Sequence, residues 1–104
     1  MIKVTSTEHY GELLNAEPKV IAMFTANWCA PCKAITPEFE SLSTQYETVA
    51  FLFIDIDINE EVAEQYGVSG LPMFLTLRKG QQMDTLKGAN DVALRRMVRV
   101  FAAS

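Results

Sequence analysis

In the segment Lys19-Val20-Ile21-Ala22-Met23-Phe24, five apolar side chains follow one another without a break. A strand made of them is apolar on both faces, so it belongs in the middle of a sheet that is covered on both sides. Val49 to Ile58 reads as a second strand, apolar throughout at first and then alternating through Ile54-Asp55-Ile56-Asp57-Ile58. Between the two lie Ile35, Phe39, Leu42 and Tyr46 at helical spacing, with Pro37 placed to kink that helix. Ile2-Lys3-Val4 makes a short opening strand. Ser6 or Thr7 can cap a first helix with Leu13 and Leu14 turned inward. Asn59 caps a short helix over Glu60 to Tyr66, and Gly67 supplies its left-handed end. Met73 to Arg78 and Gln82 to Lys87 flank Lys79-Gly80-Gln81 as a hairpin. A last helix starts near Asn90 and carries Leu94, Met97, Val98 and Phe101 on one stripe. The order β-α-β-α-β-α-β-β-α predicts an α/β fold. Its mixed sheet is parallel in the first part, closes with an antiparallel hairpin, and has helices on both faces.

No repeat, linker or low-complexity tract interrupts the 104 residues, so one continuous domain over 1–104 is expected. With 49% hydrophobic and 21% charged residues, such a chain removes roughly two thirds of its unfolded surface from water. Its core therefore needs neither metal nor disulfide staples. A net charge of −4 argues against general affinity for nucleic acid or acidic membranes. The longest apolar run, Val49 to Ile54, is far short of the roughly 20 residues of a membrane span. Met1 to Ser6 has no apolar signal stretch, from which we expect a cytoplasmic protein.

Cys29 and Cys32 are the only cysteines, and a bond between them would close too small a loop to stabilise much. A close pair of this kind suggests redox chemistry or half of a metal site. His9 is remote and no third thiol exists, so a zinc site within one chain is not expected. Position carries more than spacing. The pair falls where a buried strand gives way to a helix, with Pro31 suited to the first turn. Free N–H groups and the positive end of the helix dipole favour a thiolate at Cys29. Cys32, one turn further in, can attack a mixed disulfide formed there, which predicts an exposed nucleophile and a sheltered resolver. The bland reading, two small core residues, sits poorly with Trp28, Ala30 and Pro31 around them.

Ala26-Asn27-Trp28-Cys29-Ala30-Pro31-Cys32-Lys33 resembles the thioredoxin active-site motif, differing at Ala30, where that family normally has Gly. The resemblance runs essentially end to end. It includes Tyr66-Gly67-Val68-Ser69-Gly70-Leu71-Pro72, similar to the family's loop leading to a cis proline, and Gly88-Ala89-Asn90 before the last helix. Neither a Gly-Gly pair after the hairpin nor Pro-Tyr or Gly-His between the cysteines is present, against glutaredoxin and disulfide-isomerase readings.

The resemblance implies a thioredoxin fold and a protein-disulfide reductase. Cys29 would attack, Cys32 would resolve, and Pro72 would be a cis residue against the disulfide. Leu71 would offer its backbone to an extended substrate. Trp28, Ala30, Pro31, Val68, Leu71, Pro72, Gly88 and Ala89 would form an apolar docking surface, with Asp57 accepting from the Trp28 indole. No cofactor is implied beyond the redox-active Cys29–Cys32 disulfide, and no metal. The implied partners are an NADPH-dependent flavoprotein thioredoxin reductase and disulfide-bearing clients such as peroxiredoxins, methionine sulfoxide reductases or ribonucleotide reductase.

Two positions depart from the family: Met23 stands where a buried Asp is usual, and Phe53 where a charged residue is common. Other features read more plainly. Arg95, Arg96 and Arg99 read as a solvated helix face, His9 as a surface residue, and Met23, Met73, Met83 and Met97 as core filling. Lys33 reads either as a thiolate-supporting cation or as a solvated side chain. The competing functions are a binding module with an idle Cys pair, and an inter-chain iron–sulfur or zinc site.

Overall fold

Residues 1–104 are described by a computed structural model. Its elements are β1 (Ile2–Lys3), α1 (Thr7–Ala16), β2 (Lys19–Thr25), α2 (Ala30–Gln45), β3 (Ala50–Asp55), α3 (Glu60–Gln65), β4 (Met73–Arg78), β5 (Gln81–Lys87) and α4 (Asp91–Ala103). The sheet order is β1-β3-β2-β4-β5. β1, β3 and β2 run parallel, β4 is antiparallel to β2, and β5 to β4. β2 therefore lies in the middle, as its apolar sequence requires, and is buried from Val20 to Thr25. No helix is long and apolar enough to cross a membrane.

The period of two along β2 sorts its side chains between the two faces. Ile21 and Met23 join Cys32, Ile35, Phe39 and Leu42 of α2 and Leu94, Val98 and Phe101 of α4. Val20, Ala22 and Phe24 join Tyr10 of α1, Val62 of α3 and Leu75 of β4 on the other side. Phe39 sets where α2 lies: its ring meets Phe51 at 5.1 Å and Phe74 at 5.8 Å. Truncating such a side chain costs about 3–5 kcal/mol, more than any single polar contact at the helix ends. α2 continues through Pro37 to Gln45, although Pro37 has no N–H to give the Lys33 carbonyl.

In the hairpin, Lys79 (φ 50°) and Gly80 (φ 78°) both have positive φ, as a type I′ turn demands. Arg95 of α4 pairs with Glu38 of α2, while Arg96 and Arg99 are exposed.

Three expectations need correction. The alternation to Ile58 overstates β3, which ends at Asp55. The Asp55 carboxylate accepts from the Asp57 N–H at 2.9 Å, and its carbonyl from the Ile58 and Asn59 N–H groups, so a turn replaces the ladder. Ile58 is 65% exposed as a result. Asn59 stands at the N-cap position but does not cap: its amide donates to the Val4 carbonyl at 3.1 Å and the Asp55 carbonyl at 3.0 Å. The two N–H bonds of one amide reach both carbonyls; a hydroxyl has a single O–H to give and a carboxylate none. Met83 is exposed, because it sits on the edge strand β5, whereas Met23 and Met73 are buried.

Candidate active site

The end of β2 delivers the chain into α2 through Ala26 to Trp28, and Cys29 becomes the helix N-cap with extended backbone (φ −92°, ψ 102°). Its N–H donates to the Ala26 carbonyl at 3.1 Å and its carbonyl accepts from Lys33 N–H at 3.2 Å. The Cys29 sulfur takes the place of a capping oxygen, accepting from the Cys32 N–H at 3.2 Å. A first-turn N–H and the helix dipole thus both point at this sulfur, and both stabilise negative charge on it. Cys29 and Cys32 are joined as a disulfide with their Cα atoms 5.3 Å apart, in the ordinary range. Lys33 is exposed.

The two sulfurs differ in cover as the sequence suggests, but not by as much. Cys29 keeps 5% of its surface and Cys32 none. The outer cysteine is therefore buried in this disulfide-bonded form rather than openly exposed. Cys32 packs into the apolar face with Met23, itself fully buried between its strand neighbours Phe53 and Phe74. No acid, lysine or histidine is buried on that face.

The Trp28 Nε1–H donates to Asp57 Oδ2 at 3.1 Å, the pairing expected from the sequence. The indole is 68% exposed, and Asp57 lies in the turn after β3 rather than at the strand's end. Leu71–Pro72 is a cis peptide. Pro72 is buried, and its carbonyl accepts from the N–H of Gly88 at 3.0 Å, where φ is +95°. Neither the N–H nor the C=O of Leu71 is hydrogen-bonded within the chain.

A cleft of about 510 Å³ opens over the disulfide. One wall is Trp28, Cys29, Ala30 and Pro31, and the other runs from Val68 through Ser69 and Gly70 to Leu71, with Ile56 between them. Of the expected docking residues, the cleft brings together Trp28, Ala30, Pro31, Val68 and Leu71. Pro72 and Gly88 are not part of its lining and are joined to each other by their hydrogen bond, and Ala89 is exposed outside the lining. Ile56 was missed. It falls in the stretch read as strand, and its half-burial depends on the Ile56 N–H reaching the Thr25 carbonyl at 2.9 Å. A larger groove of about 830 Å³ between β5 and α4 contains neither cysteine. No three His, Cys, Asp or Glu side chains come together as a metal set. His9 Nδ1 accepts from the Thr5 N–H at 3.1 Å.

Comparison with known proteins agrees with this geometry. The family model described as thioredoxin matches residues 1–100. Thioredoxin 1 of Plasmodium falciparum is 38% identical over 104 residues, covering 99% of this chain and 100% of the relative. Thioredoxin of Equus caballus is 39% identical over 102 residues, covering 95% and 97%. The solved structure of Plasmodium falciparum thioredoxin superposes with a TM-score of 0.95 at 35% identity, covering 97% of this chain and 99% of that one.

Proposed function

This chain belongs to the thioredoxin family and is a protein dithiol–disulfide oxidoreductase, and we propose that Cys29 is its attacking thiol and Cys32 its resolving one. In the reduced protein the Cys29 thiolate attacks one sulfur of a client disulfide. A mixed disulfide forms, and the client's other sulfur leaves as a thiolate. The Cys32 sulfur, as thiolate, then attacks the Cys29 sulfur, closing the Cys29–Cys32 bond and releasing the second client sulfur. Two electrons pass to the client, and its two thiolates take up two protons. With Met23 filling the centre of the face, the Cys32 proton goes to water or to the departing thiolate, not to a fixed base.

The observation that carries this assignment is the Cys29 sulfur at the N-cap of α2, accepting from the Cys32 N–H, in a residue that lines the cleft. The groove between Trp28 and Leu71 would take an extended client segment, with the unpaired Leu71 N–H and C=O bonding its backbone. The pair would be re-reduced by an NADPH-dependent flavoprotein reductase in the cytoplasm, and its clients would be disulfide-bearing enzymes such as peroxiredoxins. Insulin reduction driven by NADPH and a purified thioredoxin reductase tests the reading. Sustained turnover is expected, and client binding without turnover would overturn it in favour of a binding module.

A further inference from the structure

Two tyrosines that the exchange chemistry does not use meet on the sheet face away from the disulfide. The Tyr10 and Tyr66 hydroxyls share a hydrogen bond of 2.6 Å, and their rings meet edge to face with centroids 6.1 Å apart. Tyr10, from α1, is 3% exposed. Tyr66 is half-buried and leans on Phe24 of β2, ring to ring at 5.9 Å. Burial first, then the bond and charge of Tyr66, hold the Tyr10 hydroxyl well above the ordinary tyrosine range.

What Tyr66 terminates gives the contact its consequence. α3 has six residues, too few to persist as an isolated helix, so its place is set by what it touches. Val62 anchors its middle in the core, Asn59 ties its start to the Val4 and Asp55 carbonyls, and Tyr66 ties its end. Immediately beyond, Gly67 turns left-handed at φ +60°, and the Val68 N–H returns to the Ala63 carbonyl at 3.1 Å. This closure fixes the backbone from Tyr66 to Val68 onto the helix. Val68 begins the cleft wall opposite Cys29, and Leu71 ends it. Any shift of the Tyr66 end of α3 is thus carried to the cleft without passing through the cysteines.

We infer that the Tyr10–Tyr66 hydroxyl bond positions the client groove, setting where the Val68–Leu71 wall stands relative to the disulfide. The inference rests on the reading of that cleft as the client-docking surface. Tyr10 and Tyr66 are positioning residues: neither touches the sulfurs. The bond acts on client affinity and leaves the thiol chemistry alone.

Tyr10→Phe keeps the ring and removes the bond. In the reductase-coupled assay its KM for insulin should rise roughly three- to tenfold, the factor by which one ordinary hydrogen bond shifts an equilibrium. Its kcat should match the parent, as should the rate at which the pre-reduced protein cleaves a small aromatic disulfide that needs no groove. Amide exchange at Val68 should speed up, and Tyr66→Phe should reproduce the KM change. A parental KM with parental Val68 exchange overturns the inference, and so does an equal loss with the small disulfide. Leu71→Asp is measured alongside to separate the two claims. If it raises the insulin KM while Tyr10→Phe does not, the tyrosine role alone fails. If it leaves the KM at the parental value, the docking reading fails and the inference with it.

Discussion

The two faces of the sheet bury different chemistry. Beneath α2 and α4 the buried residues include Ile21, Met23, Ile35, Phe39, Phe51 and Phe74 together with the disulfide of Cys29 and Cys32, and no acid, lysine, histidine or tyrosine is buried among them. Beneath α1 and α3 the packing is also apolar, but it encloses the Tyr10 hydroxyl and the Asn59 amide, each hydrogen-bonded across long stretches of sequence. The redox face gains stability from uninterrupted apolar burial and offers its thiols no fixed proton acceptor. The opposite face spends polar contacts on holding α3, whose end carries one wall of the cleft. Chemistry and positioning are divided between the faces.

Removing the reacting sulfur has the largest expected effect. Cys29→Ser should abolish insulin reduction altogether, and measurable turnover in that variant would remove Cys29 from the central role.

Putting a charge into the apolar face comes next. In Met23→Asp the introduced carboxyl is desolvated, so its folded-state pKa lies above its unfolded value of about 3.9. Because the unfolded chain loses that proton first, the destabilisation should grow as pH rises from the unfolded pKa to the raised folded one, then level off. Each unit of elevation is worth about 1.4 kcal/mol, and a few kcal/mol in total is expected. Urea unfolding of parent and variant at pH 4, 6 and 8 measures it. Equal stability at all three would mean that position 23 tolerates a charge and that the two faces are not different in kind.

On the other face, Tyr10→Phe removes one hydrogen bond and should cost about 0.5–1.5 kcal/mol near neutrality. The pKa of Tyr10 is raised on folding, so its contribution is fully present below the ordinary tyrosine value and declines as pH climbs above it. The gap between parent and Phe variant should therefore narrow from pH 9 to pH 11 in denaturant titrations. A gap that widens over that range would contradict a buried, protonated Tyr10.

The smallest effect belongs to Asp57, because the indole it holds is mostly in water. Asp57→Ala should change Trp28 fluorescence and slow insulin reduction about two- to fivefold, at little cost in stability, within the range of one exposed hydrogen bond. Asp57→Asn keeps an acceptor and should fall between. Unchanged fluorescence and rate in the Ala variant would show the bond to be idle.

Where the fold was legible, one local pattern was enough. The apolar run Val20 to Phe24 in β2, the helical stripes of α2 and α4, and Lys79-Gly80 at the hairpin each determine their element without help from afar. The Trp-Cys-Ala-Pro-Cys corner was legible for the same reason. What escaped depends on groups brought together from distant parts of the chain. Ile54 to Ile58 alternates like a strand, yet Asp55 captures the Asp57 N–H and ends it. Asn59 looks like a cap, yet Val4, just past β1, supplies a carbonyl that claims its amide. Tyr10 gave no sign, since its partner lies 56 residues away. The burial of Cys29 was underestimated because it packs in one cluster with residues of β4 and α4 that lie far from it in sequence.

The central claim is that the helix start selects which sulfur attacks. It is tested most directly by brief alkylation of the reduced protein near neutral pH, followed by peptide mapping of the label. Cys29 should carry nearly all of the label at early times, and Cys32→Ser incubated with a disulfide client should accumulate a stable mixed disulfide through Cys29. Preferential early labelling of Cys32 would reverse the two roles and contradict the account.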